Sequence, residues 1–172
     1  MAETPRIYVA CLAAYNAGKL HGDWIEATQT AAEIEAEIRS VLSRSPEPGA
    51  EEWAIHDYEG FCGARIGEYE SIANVAAIGA FIKEHGELGG ALLGHLGDLD
   101  DAKRALEEQH AGSGSSLADW AEEFLADTGA LQGMPEHLRP YFDFDRYSHD
   151  LELGGDVFSI DVDGTVHVFW SR

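Results

Sequence analysis

Thirty-two Asp and Glu side chains stand against eleven Lys and Arg in this chain, a net charge of −21, and this imbalance constrains its folding more than any other feature. Self-repulsion on that scale opposes compaction, so some requirement other than stability must select for it. The chain is nonetheless built to fold. Apolar residues make up 45% of it, with four Trp, six Tyr and seven Phe, enough for a core and unlike a disordered acidic tail. The expectation is a folded polyanion.

That charge narrows the function classes. Direct binding to nucleic acid needs basic groups that displace counterions, and an anionic membrane surface repels an acidic protein for the same reason. No apolar run approaches the roughly 20 residues that span a bilayer. Met1 to Glu3 lead into a strand-like segment rather than a charged stretch and an apolar signal region. Cys11 and Cys62 are the two cysteines. The reading is a cytoplasmic protein with two reduced thiols.

Along the chain, Arg6 to Tyr15 and His21 to Ala27 read as strands around a turn at residues 16–19. A helix follows from about Thr30 to Arg44, with Ala31, Ile34, Ile38, Val41 and Leu42 on one stripe and Glu33, Glu35 and Glu37 off it. Trp53 to Tyr58 reads as a third strand. From Ser71 the period is helical as far as His85, where Gly86 stops it. Leu88, Leu92, Leu93 and Leu96 suggest a second short helix, weakened by Gly89, Gly90, Gly94 and Gly97. Asp98 caps a third, running to about His110. Residues 111–116 (AGSGSS) read as a flexible linker. Ser116 then reads as an N-cap with Asp119 in a variant capping box, opening a helix with Leu117, Trp120, Ala121, Phe124 and Leu125 on its apolar stripe. Pro135 and Pro140 bracket a turn of helix, and 144–151 is helical. The chain closes on a hairpin, in which Asp163-Gly164 between Val157–Val162 and Thr165–Trp170 favours a type I′ turn. The fold class is α+β, in three small domains: 1–61, a small sheet with a helix; 62–111, a cluster of short helices; and 112–172, helices plus a hairpin. Net charge over 1–45, 46–110 and 111–172 is −2, −10 and −9, so the polyanion lies mostly in the last two-thirds.

Catalytic chemistry finds little support. His56, Asp57 and Cys62 invite a nucleophile reading, but neighbours on a strand point to opposite faces, and a thiol needs a base and a stabiliser of developing charge. The eight His residues show no metal-ligand spacing, His85 and His95 being ten apart across glycines. Asp98, Asp100 and Asp101 resemble half a calcium loop without its turn glycine or closing Glu; a helix cap explains them better, as a hairpin turn explains Asp161 and Asp163. No phosphate loop occurs. The chain reads as a non-enzyme without cofactor or metal.

The carboxylates carry the positive reading. Ordinary solubility needs a net charge of only about 2–8 for a small domain. A surface of carboxylates at phosphate-like intervals presents a DNA-binding groove with the field it expects, and the backbone term in DNA binding is independent of sequence. The candidate mimic surface comprises Glu68, Glu70, Glu84, Glu87, Asp98, Asp100, Asp101, Glu107, Glu108, Asp119, Glu122, Glu123, Asp127, Asp143, Asp145, Asp150 and Glu152. Charge alone leaves a second reading open, an acidic binding module for another basic DNA-binding protein.

The run from Glu51 to Phe61 (EEWAIHDYEGF) resembles the antirestriction motif of the ArdA antirestriction proteins. Ile7 to Asn16, Gly18 to Gly22, Trp24-Ile25, Ser116 to Asp119 and Val166 to Trp170 resemble the same family, over nearly the whole chain. The resemblance implies a homodimeric DNA mimic, carried largely by mobile elements. It implies inhibition of type I restriction–modification enzymes by occupation of the DNA-binding groove of their specificity and methyltransferase subunits. It also implies an elongated chain of three small domains. The motif carries over onto Trp53, Ala54, Ile55, His56, Asp57, Tyr58, Glu59 and Gly60, a segment the resemblance sets near the dimer contact. At one charge per about 1.7 Å of duplex, a dimer's charge matches about 70 Å of DNA, against a diameter of about 40 Å for one compact globule of this length.

Overall fold

The computed structural model describes residues 3–171. They form two compact units, Met1–Leu99 and Asp100–Arg172.

In the first unit, β1 (Arg6–Cys11) is the centre of an antiparallel sheet ordered β2-β1-β3, with β2 at Gly22–Glu26 and β3 at Trp53–Glu59. Strand alternation sends Ile7, Val9 and Cys11 to the buried face beside Ile25 and Ile55. The expected first strand is too long: the chain leaves β1 at Cys11 for a short helix, α1 (Leu12–Asn16). Ala13 and Ala14 are good helix formers, and the last sheet-like bond of β1 is the N–H of Leu12 to Glu52 O at 3.0 Å, on the β3 side.

Helix α2 (Ala31–Ser43) starts at a full capping box. Thr30 Oγ1 accepts from Glu33 N at 3.2 Å, and Glu33 Oε2 accepts from Thr30 N at 2.9 Å. Ile34, Ile38 and Val41 are its buried stripe. Helix α3 (Ile72–Leu96) begins with Ser71 Oγ accepting from Asn74 N at 3.2 Å. It is interrupted at Gly86, whose φ of 61° and ψ of −146° break the helical backbone, as the stop signal there requires.

The glycines expected to weaken the second half of α3 have a packing role. A Cβ on Gly90 would stand 2.6 Å from Phe61 O, and one on Gly94 would collide with the carbonyl of Gly63. The helix therefore lies directly on the 61–64 loop. Burial of Phe61, Ala64, Leu92 and Leu93 offsets the lost propensity.

In the second unit, α4 (Leu99–Arg104) passes into a π-helical turn, Ala105–Gln109, and then into β4 (His110–Gly114). The helical run ends at Gln109, as expected, and one expectation is corrected: residues 110–114 are a strand rather than a linker. β4 pairs antiparallel with β6 (Thr165–Trp170), which pairs with β5 (Val157–Val162), in the order β4-β6-β5. Long-range pairing with β6 holds this Gly/Ser segment, which has no strand propensity of its own. The hairpin turn is as expected, with Asp163 at φ 50° and Gly164 at φ 82°, both positive as type I′ demands.

Helix α5 (Leu117–Thr128) starts at Ser116, whose Oγ accepts from Asp119 N at 3.0 Å. Its capping box is incomplete, because the Asp119 carboxylate accepts from Ser115 Oγ. A 3-10 turn, Glu136–Tyr141, leads to α6 (Phe144–Leu153), capped by Asp143. Trp120, Ala121, Val157 and Val168 form the core, bordered by Phe124, Tyr147, Leu151 and Trp170.

Candidate functional site

The motif segment is β3 and the turn after it. Its pairing with β1 slips between Tyr8 and Val9: Tyr8 faces Asp57 while Val9 faces Ile55. His56 is therefore the extra residue of a β-bulge. Ala54 and Ile55, before the bulge, are both buried, whereas His56, Asp57 and Tyr58 are all exposed, against the strict alternation of a half-buried strand. His56 Nε2 lies 3.8 Å from Glu68 Oε1, and the Tyr15 ring meets the imidazole edge-on at 4.9 Å. Asp57 Oδ1 accepts from Tyr58 N at 2.8 Å. Glu59 is ion-paired with Arg6, which also lies 4.9 Å over the Trp24 ring. Trp53 is half-buried, and Gly60 turns the chain at φ 75°.

Cys62 follows at φ 54°, its thiol 3.7 Å from Gly60 O. Burial, with the Glu87 carboxylate adding to it, pushes this thiol up from its ordinary value, the reverse of what a nucleophilic thiolate requires. Cys11 is buried with Sγ 3.3 Å from Ser45 Oγ. Among the described residues no three His, Cys, Asp or Glu side chains are grouped to hold a metal ion, and no helix is long and apolar enough to cross a membrane.

The carboxylates are the dominant surface chemistry. All 32 lie in described positions, and none is buried. Of the candidate mimic residues, only Glu70, Glu87 and Asp101 are half-buried; the other fourteen are exposed. Several serve the fold as well. Asp119 and Asp143 sit at helix starts, Asp143 Oδ1 accepting from Arg146 N at 2.9 Å. Glu152 accepts from Ser159 Oγ at 2.7 Å, Glu70 accepts from Gly67 N and Asn74 Nδ2, and Asp101 is paired with Arg104. Glu84 Oε2 is 3.8 Å from His85 Nε2. Among the described residues, the side-chain carboxylates of Glu87, Asp100, Glu107, Glu108, Glu122, Glu123, Asp127, Asp145 and Asp150 make no hydrogen bond or ion pair.

The candidate set omitted acids of the first unit. Glu35, Glu51 and Glu52 are equally exposed, and the wide spacing of Glu33, Glu35 and Glu37 from the apolar stripe of α2 was the available signal. The low local charge of residues 1–45 obscured it. Ion pairing there, Arg6 with Glu59, Lys19 with Glu47 and Arg44 with Asp23, leaves Glu35 and Glu51 untouched. Unit by unit the charge is −10 over residues 1–99 and −11 over 100–172, an even division.

A protein-family model described as antirestriction protein (ArdA) matches residues 7–165. No curated protein matches the chain.

Proposed function

This chain belongs to the ArdA family of antirestriction proteins, and from that premise we propose that it is a DNA mimic that occupies the DNA-binding groove of a type I restriction–modification enzyme. The observation that carries the reading is that every one of its 32 carboxylates lies at the surface, nine of the candidate mimic carboxylates in no hydrogen bond or ion pair among the described residues.

A groove that binds duplex DNA presents Lys and Arg at positions set by phosphates. Carboxylates without internal partners meet those cations at no cost in broken internal ion pairs, and the gain is the long-range attraction that duplex DNA itself uses. No base contacts are needed, because the phosphate term in DNA binding carries no sequence information. In this reading the specificity and methyltransferase subunits are the target. Restriction and modification are both blocked, and the inhibitor works in the cytoplasm as a homodimer. The chain supplies no chemical step; it competes.

The test is cleavage of an unmodified plasmid bearing the enzyme's recognition site by a purified type I enzyme. The reading expects cleavage and methyl transfer to stop as the protein approaches the enzyme's concentration. Full cleavage at excess protein, with the protein folded, contradicts it. Capture of a basic nucleoid or regulatory protein in that case supports the acidic-module alternative.

A further inference from the structure

A cleft of about 500 Å³ opens in the first unit between α2, the start of β3 and the start of α3. Its floor is apolar: Ile38 and Ile72 are almost fully buried, and Trp53 is half-buried. Tyr69 stands at its edge, 74% exposed. Around the rim are the carboxylates of Glu35, Glu51 and Glu70 and one guanidinium, Arg39. Among the described residues, the side chains of Glu35, Glu51 and Arg39 form no ion pair or hydrogen bond. Arg39 thus neutralises none of the three acids directly, although it lies one helical turn after Glu35. Glu70 is held in place by Gly67 N at 3.2 Å and Asn74 Nδ2 at 2.5 Å.

An aromatic and aliphatic floor inside an acidic rim suits one kind of side chain. Arginine has an apolar stem that lies on such a floor, a planar cation that stacks on aromatic faces, and a fork that meets carboxylates. The rim's excess of carboxylates over cations repels an acidic visitor. It favours a surface built to hold phosphates, which is rich in arginine. We propose that this cleft is an anchor that takes an arginine side chain from the phosphate-binding surface of the target enzyme, so that the decoy adds a shaped contact to its distributed charge. The proposal rests on the DNA-mimic reading.

Displacement of a labelled duplex from a type I methyltransferase complex tests both, with wild type, Tyr69→Ala and the double variant Glu35→Gln/Glu51→Gln measured at low and high salt. All three altered side chains are exposed, so folding is not at risk, and Glu122→Gln/Glu123→Gln supplies the same charge change in the other unit. The anchor predicts that Tyr69→Ala raises the concentration for half-displacement by about five- to thirtyfold at both salts, since loss of stacking leaves the number of charge contacts unchanged. It also predicts that Glu35→Gln/Glu51→Gln weakens displacement more than Glu122→Gln/Glu123→Gln. Wild-type displacement by Tyr69→Ala overturns the anchor and leaves the mimic reading standing. Failure of the wild type itself overturns both. A fall in the sedimenting mass of Tyr69→Ala relative to wild type puts a second copy of this chain in the cleft and overturns the anchor.

Discussion

Trp120 of α5 donates its indole N–H to the carbonyl of Ala111 in β4, over 3.0 Å. Ala111 lies in the irregular step of the β4–β6 ladder, between the paired residues His110 and Gly112, so the indole satisfies a carbonyl that the ladder skips. Gly112 follows at φ 121°, close under the same ring. The bond joins the helix to the edge strand.

The prediction for this contact is graded. Trp120→Phe keeps most of the packing against Phe124 and Trp170 but strands the Ala111 carbonyl, and costs about 1–3 kcal/mol. Trp120→Ala also empties the core and costs about 3–5 kcal/mol. Urea denaturation followed by circular dichroism measures both.

His167 makes the second unit sensitive to acid. Its Nδ1 is buried with no hydrogen-bond partner among the described residues, and His110 lies 5.7 Å away, ring to ring. Burial, and then the charge of His110, lower its affinity for a proton. The unfolded chain, with His near its ordinary value of about 6.5, therefore binds the proton more readily than the fold does. This contribution is fully present above that value. It declines as the pH falls from there to the lower folded value, and is level below. Urea midpoints between about pH 8 and pH 5 should fall less steeply for His167→Phe than for wild type.

Gly90 and Gly133 make a controlled pair. A methyl on Gly90 meets the Phe61 and Cys62 backbone, while Gly133 has open space around it. Gly90→Ala is expected to cost about 1–3 kcal/mol through overpacking. Gly133→Ala is expected to be neutral or slightly stabilising, by up to about 1 kcal/mol. Equal effects in thermal unfolding count against the close approach of α3 to the 61–64 loop.

Much of this structure was legible in the residue order where local chemistry decides the conformation. The Thr30–Glu33 box, the stop at Gly86 and the Asp163-Gly164 turn are of that kind. What escaped depends on partners far away in sequence. Residues 110–114 become a strand because β6 accepts them, and His56 leaves the ladder because Tyr8 and Val9 take Asp57 and Ile55. The short helix α1 escaped because its five residues are too few to show a helical period apart from the strand that runs into them. The acidic surface was legible as a class, since carboxylates stay in water. Which acids lack partners was not, because Asp101, Glu107 and Glu108 all lie within four residues of Arg104 in sequence, and the ion pair it makes is with Asp101.

A distributed surface predicts shallow single effects. Glu107→Lys or Glu108→Lys should weaken inhibition by no more than about fivefold, in keeping with 0–1 kcal/mol for an exposed ion pair. Reversal of Glu107, Glu108, Glu122 and Glu123 together should act cumulatively, because among the described residues none has a side-chain ion pair or hydrogen bond to release. Inhibition constants for the series show this directly. Loss of all inhibition in one folded single mutant would mark a localised hot spot.

The central claim is competition for the DNA groove, and its most direct measurement is displacement of a labelled duplex from a type I methyltransferase complex across a series of salt concentrations. The account predicts that this protein displaces the duplex and that its own affinity for the complex falls as salt rises, since its contacts are screened ion pairs. Absence of displacement by folded protein from active enzyme, or an affinity that does not change with salt, contradicts it.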